Sequence, residues 1–156
     1  MGIESNNMKK IKQALISVSD KRNLNKILKI LKKYKIKIIS SAGTFKKIKN
    51  YGYECLEISK FTNSPEILGG RVKTLHPKIH AGILSKRNNK IHSKEMKINN
   101  FEEIDLVILN FYPFEETIKK TKNQKKIVEN IDIGGPTMAR AAAKNYNDVV
   151  VITNIG

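Results

Sequence analysis

Residues 71–80, RVKTLHPKIH, concentrate side chains that bind anions and transfer protons. Half of the segment carries a cationic group or an imidazole: Arg71, Lys73, His76, Lys78 and His80. Pro77 disfavours a helix through the segment, so we expect a loop. The spacing of the two histidines could suit zinc, but no cysteine or carboxylate set completes such a site, and we expect no metal. The segment therefore predicts contact with an anionic ligand.

Two shorter segments, SVSDK and SSAGT, have the composition of phosphate-binding loops. Small residues let backbone N–H groups approach a phosphate closely, and a following helix N-terminus adds a favourable partial charge. The candidate ligands of a phosphorylated compound are Ser17, Ser19, Lys21, Ser41, Gly43 and Thr44. A simpler alternative is that Ser19 and Asp20 only cap the next helix.

A third segment, IDIGGPTMARAAAKN, predicts a turn followed by a helix. Pro136 suits the first helical position, and Arg140 and Lys144 then lie on one helix face. Lys144 could return to Asp132 only if the intervening residues fold compactly. Otherwise Lys144 caps the last helical carbonyls, and the sequence leaves both alternatives open.

The elements that must position these loops alternate along the chain. Apolar runs predict strands at 14–19, 37–40, 53–59, 105–110 and 148–153, the last of them buried. Helical patterns predict helices over 24–31, 43–52, about 88–99, 124–130 and from 136 onward, with an irregular region at 60–85. This order predicts one α/β domain with a mostly parallel sheet between helices. In such sheets, ligands bind where the strands end.

The composition limits the partners. The chain has 156 residues and a formal charge of +16, but lysine supplies most of it, and no aromatic cluster accompanies the four arginines. Specific nucleic-acid recognition favours arginine and stacking aromatics, so we expect none. No apolar run approaches a membrane span, and no signal peptide precedes the first strand. With Cys55 as the single cysteine, we expect a cytoplasmic protein without membrane contact.

Five segments, in this order, resemble the IMP cyclohydrolase domain of the bifunctional purine-biosynthesis enzymes: SVSDK, SAGT, GGRVKTLHPKIHAGIL, NFYPFEET and ENIDIGGPTMARAAAKN. The resemblance runs from about Ala14 to Thr153 and implies a methylglyoxal-synthase-like fold of three layers. In that family, an AICAR formyltransferase domain follows. The implied organisation is an N-terminal extension over 1–13 and a C-terminally shortened cyclohydrolase domain over 14–156, without the formyltransferase domain.

The resemblance also implies a reaction and its residues. The substrate would be 5-formamidoimidazole-4-carboxamide ribotide, whose carboxamide nitrogen attacks the formyl carbon to give IMP and water without a cofactor. Lys73 would face the formyl oxygen with Tyr112 as its phenolic partner, and Asp132 and Lys144 would relay protons. The residues implied in substrate binding are Ser17, Ser19, Lys21, Ser41, Gly43, Thr44, Arg71, Thr74, Asn110 and Gly134.

Some alternatives stay open. The family usually has glycine where this chain has Ala42, and a positive φ there would cost on the order of 1 kcal/mol. A methylglyoxal synthase would need an acidic catalytic set, and RVKTLHP argues against it. A ligand-binding remnant, like the allosteric domain of carbamoyl phosphate synthetase, is the alternative without chemistry. A homodimer and a separate formyltransferase chain are both considered as partners.

Overall fold

The structure, a computed structural model, describes residues 9–155. Within them, five strands form one sheet: β1 (Gln13–Ser17), β2 (Lys37–Ser40), β3 (Leu56–Glu57), β4 (Leu106–Leu109) and β5 (Val150–Ile152). All neighbouring strands run parallel in the order β3-β2-β1-β4-β5. The predicted α/β fold with a parallel sheet is confirmed. Residues 1–8 of the predicted N-terminal extension, and Gly156, lie outside the described residues.

Eight α-helices accompany the sheet in residues 9–155: α1 (Leu24–Lys33), α2 (Ala42–Asn50), α3 (Ile58–Thr62), α4 (Pro77–Leu84), α5 (Lys90–Ile98), α6 (Phe114–Lys120), α7 (Gln124–Glu129) and α8 (Gly134–Lys144). A 3₁₀ turn, Leu68–Gly70, precedes α4. None of these helices is both long and apolar enough to cross a membrane.

The side chains of each central strand alternate between two apolar cores, as the pleat of a sheet requires. Leu15 and Val107 face one core, which packs against α3, α4 and α8. Ala14 and Ile16 face the other core, which packs against α1 and α2. The sheet is therefore covered on both faces, and this burial explains why β1 and β4 read as continuous apolar runs.

The strand order places a crevice next to β1. The chain leaves β1 and joins β2 on one side, whereas β4 pairs with β1 on the other side. The loops after β1 and β4 therefore diverge, and parallel sheets bind ligands at such a switch point. SVSDK follows β1, SSAGT follows β2, and NFYPF follows β4.

The prediction for residues 53–85 was partly wrong. Only Leu56–Glu57 is a strand, and α3 begins at Ile58 inside the predicted strand. Pro77 begins α4 instead of preventing a helix, because the first helical N–H needs no intrahelical partner. The His76 ring completes the start of α4, since its Nδ1 accepts a hydrogen bond from Lys78 N–H at 3.1 Å.

Three further differences concern the second half of the chain. The sequence pattern missed α6, and α8 begins at Gly134, two residues before the predicted start at Pro136. β5 lies at the edge of the sheet, and Val150 is half-exposed instead of buried. An edge strand buries fewer of its side chains, whatever its hydrophobicity.

The described part of the predicted extension is attached to the sheet. Lys12 N–H donates to Asp105 Oδ2 at 2.8 Å, and the Lys12 carbonyl accepts from Lys37 N–H at 2.9 Å. Lys9 forms an ion pair with Asp148. These contacts attach the residues before β1 to chain segments on both sides of that strand.

Candidate functional site

A cavity of 570 Å³ opens at the carboxyl ends of β1, β2 and β4. All but one of the site residues predicted from the sequence line it: Ser17, Ser19, Lys21, Ser41, Gly43, Thr44, Arg71, Lys73, Thr74, Asn110, Tyr112, Asp132 and Gly134. They come from loops that are far apart in the chain, and the parallel strands bring these loops to one end of the sheet. The exception is Lys144.

The loop after β1 is held by its own lysine. Lys21 Nζ donates to the carbonyls of Val18 at 3.2 Å and Ser19 at 3.0 Å. The hydroxyls of Ser17 and Ser19 make no hydrogen bond within residues 9–155, so they remain free for a ligand. The residue before α1 is Asn23, so Ser19 does not cap that helix.

Asp20 shapes the same loop from outside. Its carboxylate accepts hydrogen bonds from the Arg22 backbone N–H at 2.9 Å and from Arg22 Nε at 2.7 Å. These hydrogen bonds, that of the Arg22 side chain first, lower the pKa of Asp20. Asp20 therefore closes a local turn and does not cap α1.

Asn110, the first residue after β4, fastens this loop across the switch point. Its Oδ1 accepts from Ser19 N–H at 2.6 Å and from Asp20 N–H at 3.1 Å. Its Nδ2 donates to the Asp20 carbonyl at 2.8 Å. The amide thus fixes the distance between the loops after β1 and β4, a role that sequence reasoning did not assign to it.

Thr44 joins the loops after β1 and β2. Its buried hydroxyl donates to the Val18 carbonyl at 2.9 Å and accepts from Val18 N–H at 3.2 Å. This hydroxyl has no further proton to donate to a phosphate. In this arrangement the Thr44 side chain supports the two loops, and its contact with a ligand stays a prediction.

Ala42 occupies a backbone conformation that favours glycine. Its φ is 44°, in the left-handed region that favours residues without a side chain. It begins α2, and the first N–H groups of a helix have no intrahelical acceptor. The loop therefore holds Ala42 in a conformation that is strained for alanine.

The segment from 66 to 73 forms the opposite wall. Three successive residues at its tip, Leu68, Gly69 and Gly70, have positive φ values. Arg71 Nη2 lies 3.5 Å from Glu129 Oε1, and Lys73 Nζ lies 3.6 Å from Glu66 Oε2. Both predicted site cations of this segment are therefore held by carboxylates.

Asp132 connects the loop after β4 to the start of α8. Its Oδ1 accepts from Gly135 N–H at 2.9 Å, and its Oδ2 accepts from Tyr112 N–H at 3.4 Å. A Cβ at Gly135 would lie 2.6 Å from Oδ2, so this close approach requires glycine. Asp132 is thus a helix-capping residue whose carboxylate also lines the cavity, next to the half-exposed Tyr112.

Lys144 lies far from Asp132. The helix from Gly134 to Lys144 is unbroken, and ten residues at 1.5 Å each separate its ends by about 15 Å. Lys144 is exposed in the last turn, where a positive charge interacts favourably with the helix dipole. Of the two alternatives left by the sequence, the placement of Lys144 favours the one at the helix end.

His76, just before α4, and His80, within it, have different surroundings. His76 Nδ1 is the cap acceptor, whereas His80 Nε2 is buried without a hydrogen-bond partner. Burial lowers the pKa of His80, and a hydrogen bond to the Thr74 backbone opposes that shift. Among residues 9–155, no group of three or more histidine, cysteine or carboxylate side chains could hold a metal ion.

Comparison with known proteins places this geometry in a family. A family model described as the MGS-like domain matches residues 23–137. The chain belongs to the MGS-like domain family. The matched residues run from the start of α1 into the first turn of α8, so they include most of the cavity wall.

Curated relatives of this MGS-like domain are purine-biosynthesis enzymes. It is 51% identical over 142 residues to the bifunctional purine biosynthesis protein PurH of Prochlorococcus marinus (strain MIT 9301), covering 90% of this chain. It is 53% identical over 145 residues to the protein of the same name from Acetivibrio thermocellus, covering 92%. The chain spans 28% of the length of each of these relatives.

A solved structure shares the fold over most of this chain. The crystal structure of ForH superposes with a TM-score of 0.80 and 32% sequence identity, over 93% of this MGS-like domain and 74% of the ForH chain. The predicted membership of this family is confirmed.

Several residues that line the cavity of this MGS-like domain were not predicted as site residues: Gly69, Gly70, Leu75, Val128, Glu129, Ile131, Ile133 and Gly135. The glycine pairs at 69–70 and 134–135 gave a signal, because paired glycines mark close backbone approaches. Val128 and Glu129 gave none. They reach the cavity because the end of α7 lies beside the 66–73 loop, where Glu129 pairs with Arg71.

Proposed function

We propose that this MGS-like domain is an IMP cyclohydrolase, which closes the ring of 5-formamidoimidazole-4-carboxamide ribotide to give IMP and water. One observation carries the proposal. Lys73, Tyr112 and Asp132 come from three separate loops and line the same 570 Å³ cavity. Homology to the bifunctional purine-biosynthesis enzymes supports a substrate of this class.

The ribotide phosphate would lie between the loops after β1 and β2. Free serine hydroxyls and the ammonium of Lys21 surround this end of the cavity, and the N-terminus of α2 points toward it. These groups donate hydrogen bonds and positive potential to an anion. Thr44 links these two loops, and Asn110 links the loop after β1 to the end of β4.

The reacting groups would lie at the other end of the cavity. A bond forms between the carboxamide nitrogen and the formyl carbon, and the formyl oxygen leaves as water with one proton from each nitrogen of the closing ring. Lys73 and Tyr112 would stabilise the charge that develops on that oxygen. Asp132 would accept the carboxamide proton, because only one N–H binds each of its oxygens.

No metal or redox group is needed in this scheme, since the attack is intramolecular. Holding the formyl group over the carboxamide supplies a large part of the rate. We assign Lys144 no contact with the substrate, because it lies outside the cavity. Formyl transfer, which the resemblance assigns to a separate AICAR formyltransferase domain, is not part of this proposal. Purine synthesis agrees with the expected cytoplasmic location.

The direct test is to mix the purified chain with the formylated ribotide and follow IMP by its ultraviolet absorbance. Lys73→Ala should lower kcat by on the order of 10²-fold or more while IMP affinity changes little. Lys78→Ala is the matched control, because Lys78 lies over the Phe61 ring at 4.9 Å and outside the cavity. Equal loss in both variants would contradict the assignment.

A second candidate is a domain that binds a purine ribotide without turning it over. The φ of Ala42 favours it, because strain at the phosphate loop could displace a substrate that must be held accurately. Absence of turnover together with tight IMP binding would support this candidate. Restoration of turnover by Ala42→Gly would assign the defect to that loop.

A further inference from the structure

The loop that carries Lys73 is closed by one antiparallel backbone pairing. Ile67 N–H donates to the Val72 carbonyl at 3.2 Å, and Val72 N–H donates to the Ile67 carbonyl at 3.4 Å. In an antiparallel pair, the next residues outward lie directly opposite each other, with their side chains close together. These residues are Glu66 and Lys73. The backbone register therefore brings their two charges together.

The resulting ion pair is partly shielded from solvent. Lys73 Nζ lies 3.6 Å from Glu66 Oε2, and their side chains are only 25% and 31% exposed. The other ion pair of this loop, Arg71 with Glu129, is 63% and 62% exposed. Salt and water screen a shielded pair less than an exposed pair. Glu66 thus influences its lysine more strongly than Glu129 influences its arginine.

The tip of the loop leaves space for this pair. A Cβ at Gly70 would lie 3.1 Å from Lys73 Nζ and 3.4 Å from Glu66 Oε2. The φ of Gly70 is 87°, which also disfavours any other residue. The glycine therefore lets the ammonium and the carboxylate meet above the loop.

Lys73 lines the cavity and Glu66 does not. We propose that Glu66 is a positioning residue, whose carboxylate holds the Lys73 ammonium at the cavity wall from the side opposite the ligand. The proposal deepens the proposed cyclohydrolase function and rests on it, because Lys73 faces the formyl oxygen there. Glu66 acts through Lys73 and does not touch the substrate.

Kinetics test this role with a matched control. Glu116 pairs with Lys120 at 3.0 Å on the exposed face of α6, so Glu116→Gln removes the same charge from an ion pair outside the cavity. We expect Glu66→Gln to lower kcat about tenfold with KM changed less than about twofold, and Glu116→Gln to change neither by more than about twofold. Glu66→Asp should recover part of the loss.

A double-variant cycle separates positioning from general destabilisation. If Glu66 acts only through Lys73, Glu66→Gln causes no further loss of kcat in a Lys73→Ala chain. An equal loss with and without Lys73 overturns the proposal. An unchanged kcat in Glu66→Gln overturns it as well.

A measurement without turnover keeps this proposal distinct from the proposed function. Reductive ¹³C-methylation labels the lysines, and the Lys73 signal is assigned by its absence in Lys73→Arg. We expect that signal to move in Glu66→Gln and to stay in place in Glu116→Gln. A signal that does not move overturns the pairing. If the wild-type chain closes no ring, the cyclohydrolase function fails, and the NMR result alone decides whether Glu66 holds Lys73.

Discussion

The hydroxyl of Thr74 occupies the space where a side chain at Gly134 would begin. Thr74 is buried and directly follows the 66–73 loop, and Gly134 is the first residue of α8. The contact brings two walls of the cavity together without a hydrogen bond. Position 134 therefore needs glycine because of its neighbour and not because of its own backbone conformation.

We expect Gly134→Ala to lower the free energy of unfolding by about 1–3 kcal/mol, because an added methyl group overlaps the Thr74 hydroxyl. Thr74→Ala should recover much of this loss in the double variant, since it removes that oxygen. Thr74→Val keeps heavy atoms at the same place and should give no relief. Urea unfolding measures all three, and a loss from Gly134→Ala that is independent of residue 74 would contradict the contact.

Replacing Ala42 by glycine should stabilise the chain. The positive φ costs alanine about 1–2 kcal/mol, and the larger unfolded-state entropy of glycine offsets part of the gain. We therefore expect Ala42→Gly to raise the free energy of unfolding by about 0.5–1 kcal/mol. Ala143→Gly, on the exposed face of α8, should instead lower it by about 1 kcal/mol. Destabilisation by both changes would show that position 42 is unstrained.

Asn110 should control the order of the loop after β1 even without a ligand. Asn110→Ala removes the acceptor of the Ser19 and Asp20 N–H groups, and we expect a loss of about 1–3 kcal/mol in stability. Hydrogen exchange of these two amides should accelerate about tenfold or more. Asn89→Ala, which removes the cap of α5, is the control for a similar change elsewhere. Exchange at Ser19 that responds equally to both variants would argue against the clamp.

Stability should depend on pH through His80. Because burial lowers its pKa below 6.5 in the folded chain, the unfolded chain binds the proton first as pH falls. The contribution of His80 to stability is therefore complete above about pH 6.5 and decreases below it until the folded pKa is passed. His80→Asn keeps a donor for the Thr74 backbone and should flatten the slope of unfolding free energy against pH between 6.5 and 5. Equal slopes in the two chains would refute this expectation.

Much of the fold could be predicted because its elements have strong local signals. The apolar runs of β1, β2 and β4 and the amphipathic pattern of α1 are properties of a few adjacent residues. The start of α8 was misplaced because the carboxylate of Asp132 binds Gly135 N–H and extends the helix to two glycines. Glycine propensity alone argues against that start.

The sequence predicts which segments form the site, but it predicts few of the contacts between them. The predicted loops surround one cavity because parallel strands end together, a rule that holds for many sequences. The commitment of the Thr44 hydroxyl to Val18 depends on how two loops pack, which no motif records. The pairing of Glu66 with Lys73 depends on the register of a loop with three positive φ values, and Leu68 is an unexpected residue for one of them.

Helices α6 and α7 contain no buried residue among those described, although α7 contributes Val128 and Glu129 to the cavity wall. Packing against the sheet therefore constrains this wall little, whereas hydrogen bonds to Thr44 and Asn110 hold the loop after β1. Evolution can change the outer wall without refolding the domain. For the proposed ribotide, we expect relatives to keep the phosphate end of the site and to vary its base end.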